Sequence, residues 1–285
     1  MFTSRLKKFG AAMVSLLVLW LIMAQSCMKF RIADQEAIQS FAESGVLLKT
    51  HDILVNHHKL HYVQTGSDTL PTIIFVHGSP GSWDAFAAYM KDRDLLGKFR
   101  MVSIDRPGFG YSDFGDALPL AEQSSVISPL FQLLKNSKPV YLVGHSLGGP
   151  MIVQLAADNP GVIDALVILA GSIDVAEENP EKWRTLLMHN PLKYLVPGAM
   201  RPSNEELWFL KKDLVALQPR FAKIQCRVYV LHGNRDQLVP YGNLRFASKA
   251  FVHAKLLDTM TLAGANHFIP WTHYQQVKSV LLKLY

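Results

Sequence analysis

VYLVGHSLGGPMIVQLAADNP (140–160) is the stretch that decides the fold. It opens on an apolar run, VYLV (140–143), turns through Gly144-His145-Ser146-Leu147-Gly148-Gly149, and continues as a helical pattern. The first five residues of the turn fit G-x-S-x-G, an elbow between strand and helix that lifts a serine hydroxyl above the end of a sheet. The physics asks for glycine there: side chains two positions either side of Ser146 would meet each other or the neighbouring strands. The helix starting at Leu147 also aims its positive end at charge developing near Ser146.

Similar apolar runs lie on both sides of this one: TIIFV (72–76), RMVSI (100–104), ALVILA (165–170), RVYVL (227–231) and KLLDTM (255–260). Uninterrupted β-branched and aliphatic runs suit strands covered on both faces, as in a parallel sheet. Helical stretches such as 121–135 and 150–160 alternate with them, which implies a doubly wound α/β sheet. Upstream, HDILVNHHKLHYVQTG alternates apolar and polar residues around Asn56-His57, as an antiparallel hairpin should. Residues 46–173 and 220–285 are expected to form this core. The interval 174–219 carries helical patterns, several prolines and no convincing strand, and is expected to be a helical lid.

A serine hydroxyl needs a base to become a nucleophile. In this architecture the chain order is serine, acid, histidine. His267 follows the last strand and a short loop, Ala263-Gly264-Ala265-Asn266, and is expected to be the base, with His273 as second choice. RVYVLHGNRDQLVP places Asp236 just past its strand as the orienting acid; Asp174, after ALVILAGS, is the alternative. Two backbone N–H groups should form an oxyanion hole: Leu147, after the nucleophile, and Ser79, in the loop HGSPGSW (77–83). His77 is expected to be a structural hydrogen bonder below the site.

HGSPGSW, DRPGFGYS (105–112), GHSLGG, GNRDQLVP and GANHF resemble, in order and spacing, the α/β-hydrolase superfamily. The resemblance covers roughly residues 50–285. It implies an eight-stranded, mostly parallel sheet with a cap after the sixth strand, and the triad Ser146, Asp236 and His267. DRPGFGYS is similar to the loop of epoxide hydrolases and haloalkane dehalogenases, whose nucleophile is Asp. Ser146 at that position points instead to acyl transfer to water: hydrolysis of a small or medium carboxylic ester, with no cofactor and no metal. Acyltransferase, thioesterase, peptidase and perhydrolase chemistry would use the same groups, and a non-catalytic binding protein would be expected to lack one of them. Trp83, Trp183, Trp208, Phe209 and Met188 are candidate pocket or lid residues.

Of the net charge of +6, three units (Arg5, Lys7, Lys8) sit at the extreme N-terminus, where no acidic residue precedes Asp34. The remaining +3 is interspersed, which argues against a nucleic-acid partner. The basic cluster precedes an uncharged run, AAMVSLLVLWLIMA (11–24), and then Gln25-Ser26-Cys27. This is the pattern of an export signal, and Ala24–Cys27 resembles a lipobox with Ala24 where Leu is usual. Residues 1–27 are thus expected to be a lipoprotein signal with Cys27 lipidated, or else an uncleaved membrane anchor or a signal cleaved from a soluble protein, with residues 28–45 as a polar, partly helical stalk. Cys226, the other of the two cysteines, opens an apolar stretch and reads as a buried thiol. His57, His58 and His61 read as surface histidines, and Asp105 and Arg106 as pins of their loop.

Overall fold

The computed structural model describes residues 2–285, with side chains from Ser4 onward. Eight strands form one sheet: β1 (Lys49–Val55), β2 (His58–Thr65), β3 (Thr72–Val76), β4 (Arg100–Ile104), β5 (Val140–His145), β6 (Ala165–Leu169), β7 (Arg227–Gly233) and β8 (Leu256–Leu262). Their spatial order is β1-β2-β4-β3-β5-β6-β7-β8. β1 and β2 are antiparallel to their neighbours, and all other pairs are parallel. The hairpin turn forms at Asn56 and His57, both at positive φ (50° and 70°), the geometry of a two-residue type I′ loop.

The continuous apolar runs are explained by burial on both faces. Every residue of β3, β4 and β6 is buried. Successive side chains point to opposite sides, so Ile73 and Phe75 enter one core with Phe86, Tyr89 and Val277. Ile74 and Val76 enter the other with Met151, Ile152 and Leu155 of the helix Gly148–Asp158. β8 departs from the expectation of a doubly covered run: it lies at the sheet edge, begins and ends later than read, and alternates in exposure. The chain leaves β3 toward β4 and returns to β5 on its other side, so the carboxyl ends of β3 and β5 open a crevice where the winding reverses.

Residues 174–219, between β6 and β7, comprise the 3-10 turns Val175–Glu177, Lys182–Met188 and Leu192–Leu195 and the helix Met200–Leu217. That helix buries Leu210, Leu214 and Leu217, spaced to fall on one face. The segment expected as a polar, partly helical stalk does contain a helix, but it packs on the body. Its residues 34–43 form the helix Asp34–Glu43, which buries Ala37 and Phe41, and the Phe41 ring lies 6.0 Å from that of Trp83. Two apolar residues four apart make one face that docks on the body. At the N-terminus, Phe2–Ser26 is one helix, longer at both ends than the apolar run, and its residues 4–26 are long and apolar enough to cross a membrane.

Candidate active site

Ser146 caps β5 with φ of 55°, in the left-handed region that costs a non-glycine residue about 1–3 kcal/mol. The surroundings hold it there: Ser146 N–H donates to Leu169 O of β6 at 3.0 Å, and Gly149 N–H donates to Ser146 O at 2.9 Å. Gly148 is required because a Cβ there would collide with the Val76 carbonyl of β3. The elbow helix is thereby pressed against the end of the crevice, and Ser146 faces a pocket of about 880 Å³ that His267 also lines.

Asp236 lies three residues beyond β7, and His267 lies in the loop after β8. The two loops meet: His267 Nδ1–H donates to Asp236 Oδ2 at 2.7 Å, while Asp236 Oδ1 accepts from Leu238 and Val239 N–H at 2.9 and 2.8 Å. Burial alone would raise the Asp236 carboxyl, but His232, His267 and Val239 N–H together hold it well below the usual carboxylate range. With Nδ1 carrying the proton, His267 Nε2 keeps its lone pair for the pocket. Ser146 Oγ makes no hydrogen bond among the described residues; such pairs commonly tighten only when substrate is seated.

His145, beneath this pair, was not singled out from the sequence. Its Nε2–H donates to His267 O at 3.0 Å, and the two rings lie 4.8 Å apart. Burial, then the nearby His267, push it down to about 3 from an ordinary 6.5. It therefore anchors the His267 loop without adding a competing charge. In this folded state the imidazole refuses a proton that the unfolded chain accepts, so stability is lost as pH falls from about 6.5 toward about 3. One such group gives a slope of about 1.4 kcal/mol per pH unit. Chemical unfolding of His145→Gln between pH 6 and pH 4 is expected to show a shallower loss than the wild type; parallel curves would refute the role.

The loop after β3 forms the facing wall. The N–H groups of Ser79 and Leu147, expected as oxyanion donors, carry no hydrogen bond among the described residues. Gly78 closes on the elbow: a Cβ there would lie 2.9 Å from Ser146 Cβ. His77 is held neutral from both sides, its Nδ1–H donating to Gly78 O at 2.7 Å and its Nε2 accepting from Arg106 N–H at 3.0 Å. The Arg106 guanidinium donates to His77 O and Gly78 O at 2.9 and 3.0 Å. It also grips both oxygens of Glu206, at 2.7 and 2.8 Å, on the helix Met200–Leu217. Arg106 is fully buried and Glu206 nearly so. Glu206 was not legible as a site residue, because no local pattern links it to an arginine a hundred positions earlier.

The alternative acid and base stand apart from the pair. Asp174 caps a 3-10 turn by accepting from Ala176 N–H at 2.9 Å, and His273 Nδ1 meets the neighbouring Thr272 hydroxyl at 2.9 Å. None of the four aromatics named as pocket or lid candidates lines the pocket. Trp83 is core, Trp183 is largely exposed, and Trp208 and Phe209 face elsewhere. The apolar lining comes from Phe30, Leu207, Leu238, Phe268 and Trp271, with Glu178 and Arg184 among the polar residues. Met188 is likewise absent from the lining. His61 is buried, not a surface histidine, with Nδ1–H on Asp105 Oδ2 at 2.8 Å. Asp105 also accepts from Trp83 and Tyr111 N–H at 2.8 Å each, so it does pin its loop.

Comparison with known proteins agrees with this architecture. Residues 71–195 match the family described as "alpha/beta hydrolase fold". A structure of Cfl2 from Burkholderia cenocepacia superposes with a TM-score of 0.65 at 18% identity, covering 83% of this chain and 95% of that one. The chain has the α/β-hydrolase fold. Within that fold, epoxide hydrolase 1 of Caenorhabditis elegans is 34% identical over 112 residues, 38% of this chain and 27% of that protein. The sn-1-specific diacylglycerol lipase ABHD11 of Mus musculus is 32% identical over 104 residues, 36% of this chain and 34% of that protein. The matches thus span about a third or less of these relatives' own length.

Proposed function

We propose that the protein is a serine hydrolase that cleaves carboxylic esters through an acyl-enzyme on Ser146. One observation carries the reading: Ser146, held at positive φ, shares its pocket with a His267 whose other nitrogen is bound to a deprotonated Asp236. Ser146 Oγ attacks the acyl carbonyl as His267 Nε2 takes its proton, and Asp236 stabilises the imidazolium. The N–H groups of Ser79 and Leu147 receive the oxyanion. His267 returns the proton to the departing alcohol, then takes one from water, whose hydroxide releases the acid. Residues 174–219 cover the site as a lid, tied to the oxyanion loop through Glu206 and Arg106.

Similarity to an epoxide hydrolase does not carry that chemistry over. A carboxylate that opens an epoxide forms an ester, which water can hydrolyse at the carboxylate's own carbonyl carbon. Ser146 would form an ether with no carbonyl to attack, and the enzyme would stop after one turnover. An acyl substrate brings its own carbonyl, so serine turns over. The similarity to a protein named as a diacylglycerol lipase supports the same choice.

The test is labelling of the folded full-length chain by a fluorophosphonate, which needs an activated serine but not the natural substrate. The wild type should be labelled on the peptide containing Ser146, and Ser146→Ala should not. Absence of label on folded wild type, or equal labelling of both proteins, would refute the assignment.

A further inference from the structure

The N-terminal helix is clasped to the body at the end nearest the pocket. Trp20 Nε1–H donates to Leu195 O at 3.0 Å, and Gln25 Nε2–H donates to Tyr194 O at 2.7 Å. Backbone meets backbone as well: Gly198 N–H donates to Ala24 O at 2.7 Å and Ala199 N–H to Met28 O at 2.9 Å. Arg201 Nη1–H closes the clasp on Gln25 Oε1 at 2.9 Å. Ala24 is fully buried, and Gly198, at φ of 45°, lies so close that a Cβ would collide with the Met28 carbonyl. Cleavage before Cys27 would remove Trp20, Ala24 and Gln25 and leave this surface of the lid uncovered.

The rest of the helix is built for lipid. The most apolar 18-residue window within residues 4–26 has a mean hydropathy of 1.9, and Leu6, Leu16, Leu19 and Ile22 are each at least 60% exposed. The helix is 25 residues long, roughly 37 Å at 1.5 Å per residue, against a hydrocarbon core of about 30 Å. Its charges, Arg5, Lys7 and Lys8, all lie at the far end from the body. A bilayer is the occupant that fits an apolar surface of this length with a basic end.

The exit from that helix leads straight to the catalytic pocket. Phe30, four residues past Ser26, lines the pocket of Ser146 and His267. Four residues reach at most about 14 Å, so the pocket wall at Phe30 lies within that distance of the helix end. The same pocket is lined by Leu238, Phe268 and Trp271, which are 67%, 49% and 47% exposed. An exposed apolar rim at a binding site marks contact with lipid or with an apolar ligand.

We propose that the helix is retained as a bilayer anchor and that its clasp on residues 194–201 holds the pocket mouth at the membrane, so that the substrate is an acyl ester carried in that bilayer. This rests on the Ser146 reading. The acyl C–O bond breaks, the acyl carbon takes hydroxide from water, and the alcohol takes the proton through His267.

The full-length protein is reconstituted into vesicles of a diether phosphatidylcholine, which has no ester to cleave, doped with a fluorogenic long-chain acyl ester. Ester in the same vesicles should be consumed about tenfold faster than ester supplied in separate vesicles, because the anchor raises its effective concentration. Gln25→Ala and Gly198→Ala should lower the same-vesicle rate about fivefold, while p-nitrophenyl acetate in solution is hydrolysed as by the wild type. Equal rates for the two vesicle arrangements would overturn the proposal, as would an intact mass lacking residues 1–26. If either variant also loses the soluble ester, it has misfolded, and the wild-type vesicle comparison decides. A wild type inert even to p-nitrophenyl acetate and to fluorophosphonate would overturn the Ser146 reading, and this proposal with it.

Discussion

Ser146→Ala should hydrolyse an activated ester about 10⁶-fold more slowly than the wild type, with its thermal unfolding unchanged. The size of the effect follows from how the site divides its labour. Without Oγ there is no acyl-enzyme, and only the free N–H groups of Ser79 and Leu147 still act on a carbonyl. Those donors can retain a residual rate of about 10³–10⁴-fold over water. Asp236→Asn should fall by about 10⁴ in kcat, because an amide at 2.7 Å from His267 Nδ1 can present its NH₂ and turn the imidazole into the wrong tautomer. The two effects should not add when combined, since each removes the same proton path. Steady-state kinetics at neutral pH measures all three. A loss smaller than about tenfold for Ser146→Ala would place the chemistry elsewhere.

The residues that make this prediction possible were readable from the chain because each sits in a local pattern with one physical meaning. An apolar run followed by G-x-S-x-G leaves little choice but a strand turning sharply into a helix, and it does so at Ser146. A strand followed by a Gly/Asn turn puts Asp236 at a sheet end in the same way. The hairpin around Asn56 and His57 announced itself by alternation. What escaped the sequence depends on which elements meet in space. Phe41 lies in a stretch read as a stalk, and only the docked helix brings it to Trp83. Trp83, in turn, reads from the sequence as a candidate pocket or lid residue. The 3-10 turn beginning there sends its side chain into the core, where it is 1% exposed. Trp183, Trp208 and Phe209 stay open between pocket and lid in the sequence for the same reason: composition cannot say which face of such a segment looks inward. The uncharged run at 11–24 does not show that the helix continues through Arg5 at one end and Ser26 at the other.

The pair least visible in the sequence carries the second large effect. Glu206→Ala should destabilise the protein by about 3–5 kcal/mol. Arg106 is fully buried, and the two oxygens of Glu206 are the only carboxylate on its guanidinium among the described residues. The neutral partners that remain, His77 O, Gly78 O and Gln123 Oε1, satisfy hydrogen bonds but not the charge. A guanidinium left in that state must draw in water or swing out, and either movement pulls on the Gly78 carbonyl next to Ser79, whose N–H is the proposed oxyanion donor. The activity loss should therefore exceed what unfolding explains and should appear in kcat more than in KM. Removing both charges together separates the net worth of the pair from the penalty of stranding one partner. Arg106→Met with Glu206→Leu should be less destabilised than Glu206→Ala alone, though still slow, because the loop has lost its clamp. Denaturant unfolding of the single and double variants, read beside their kinetics, checks both parts. A Glu206→Ala protein within about 1 kcal/mol of the wild type would mean that solvent reaches Arg106, and that the lid is not tied to the oxyanion loop through this pair.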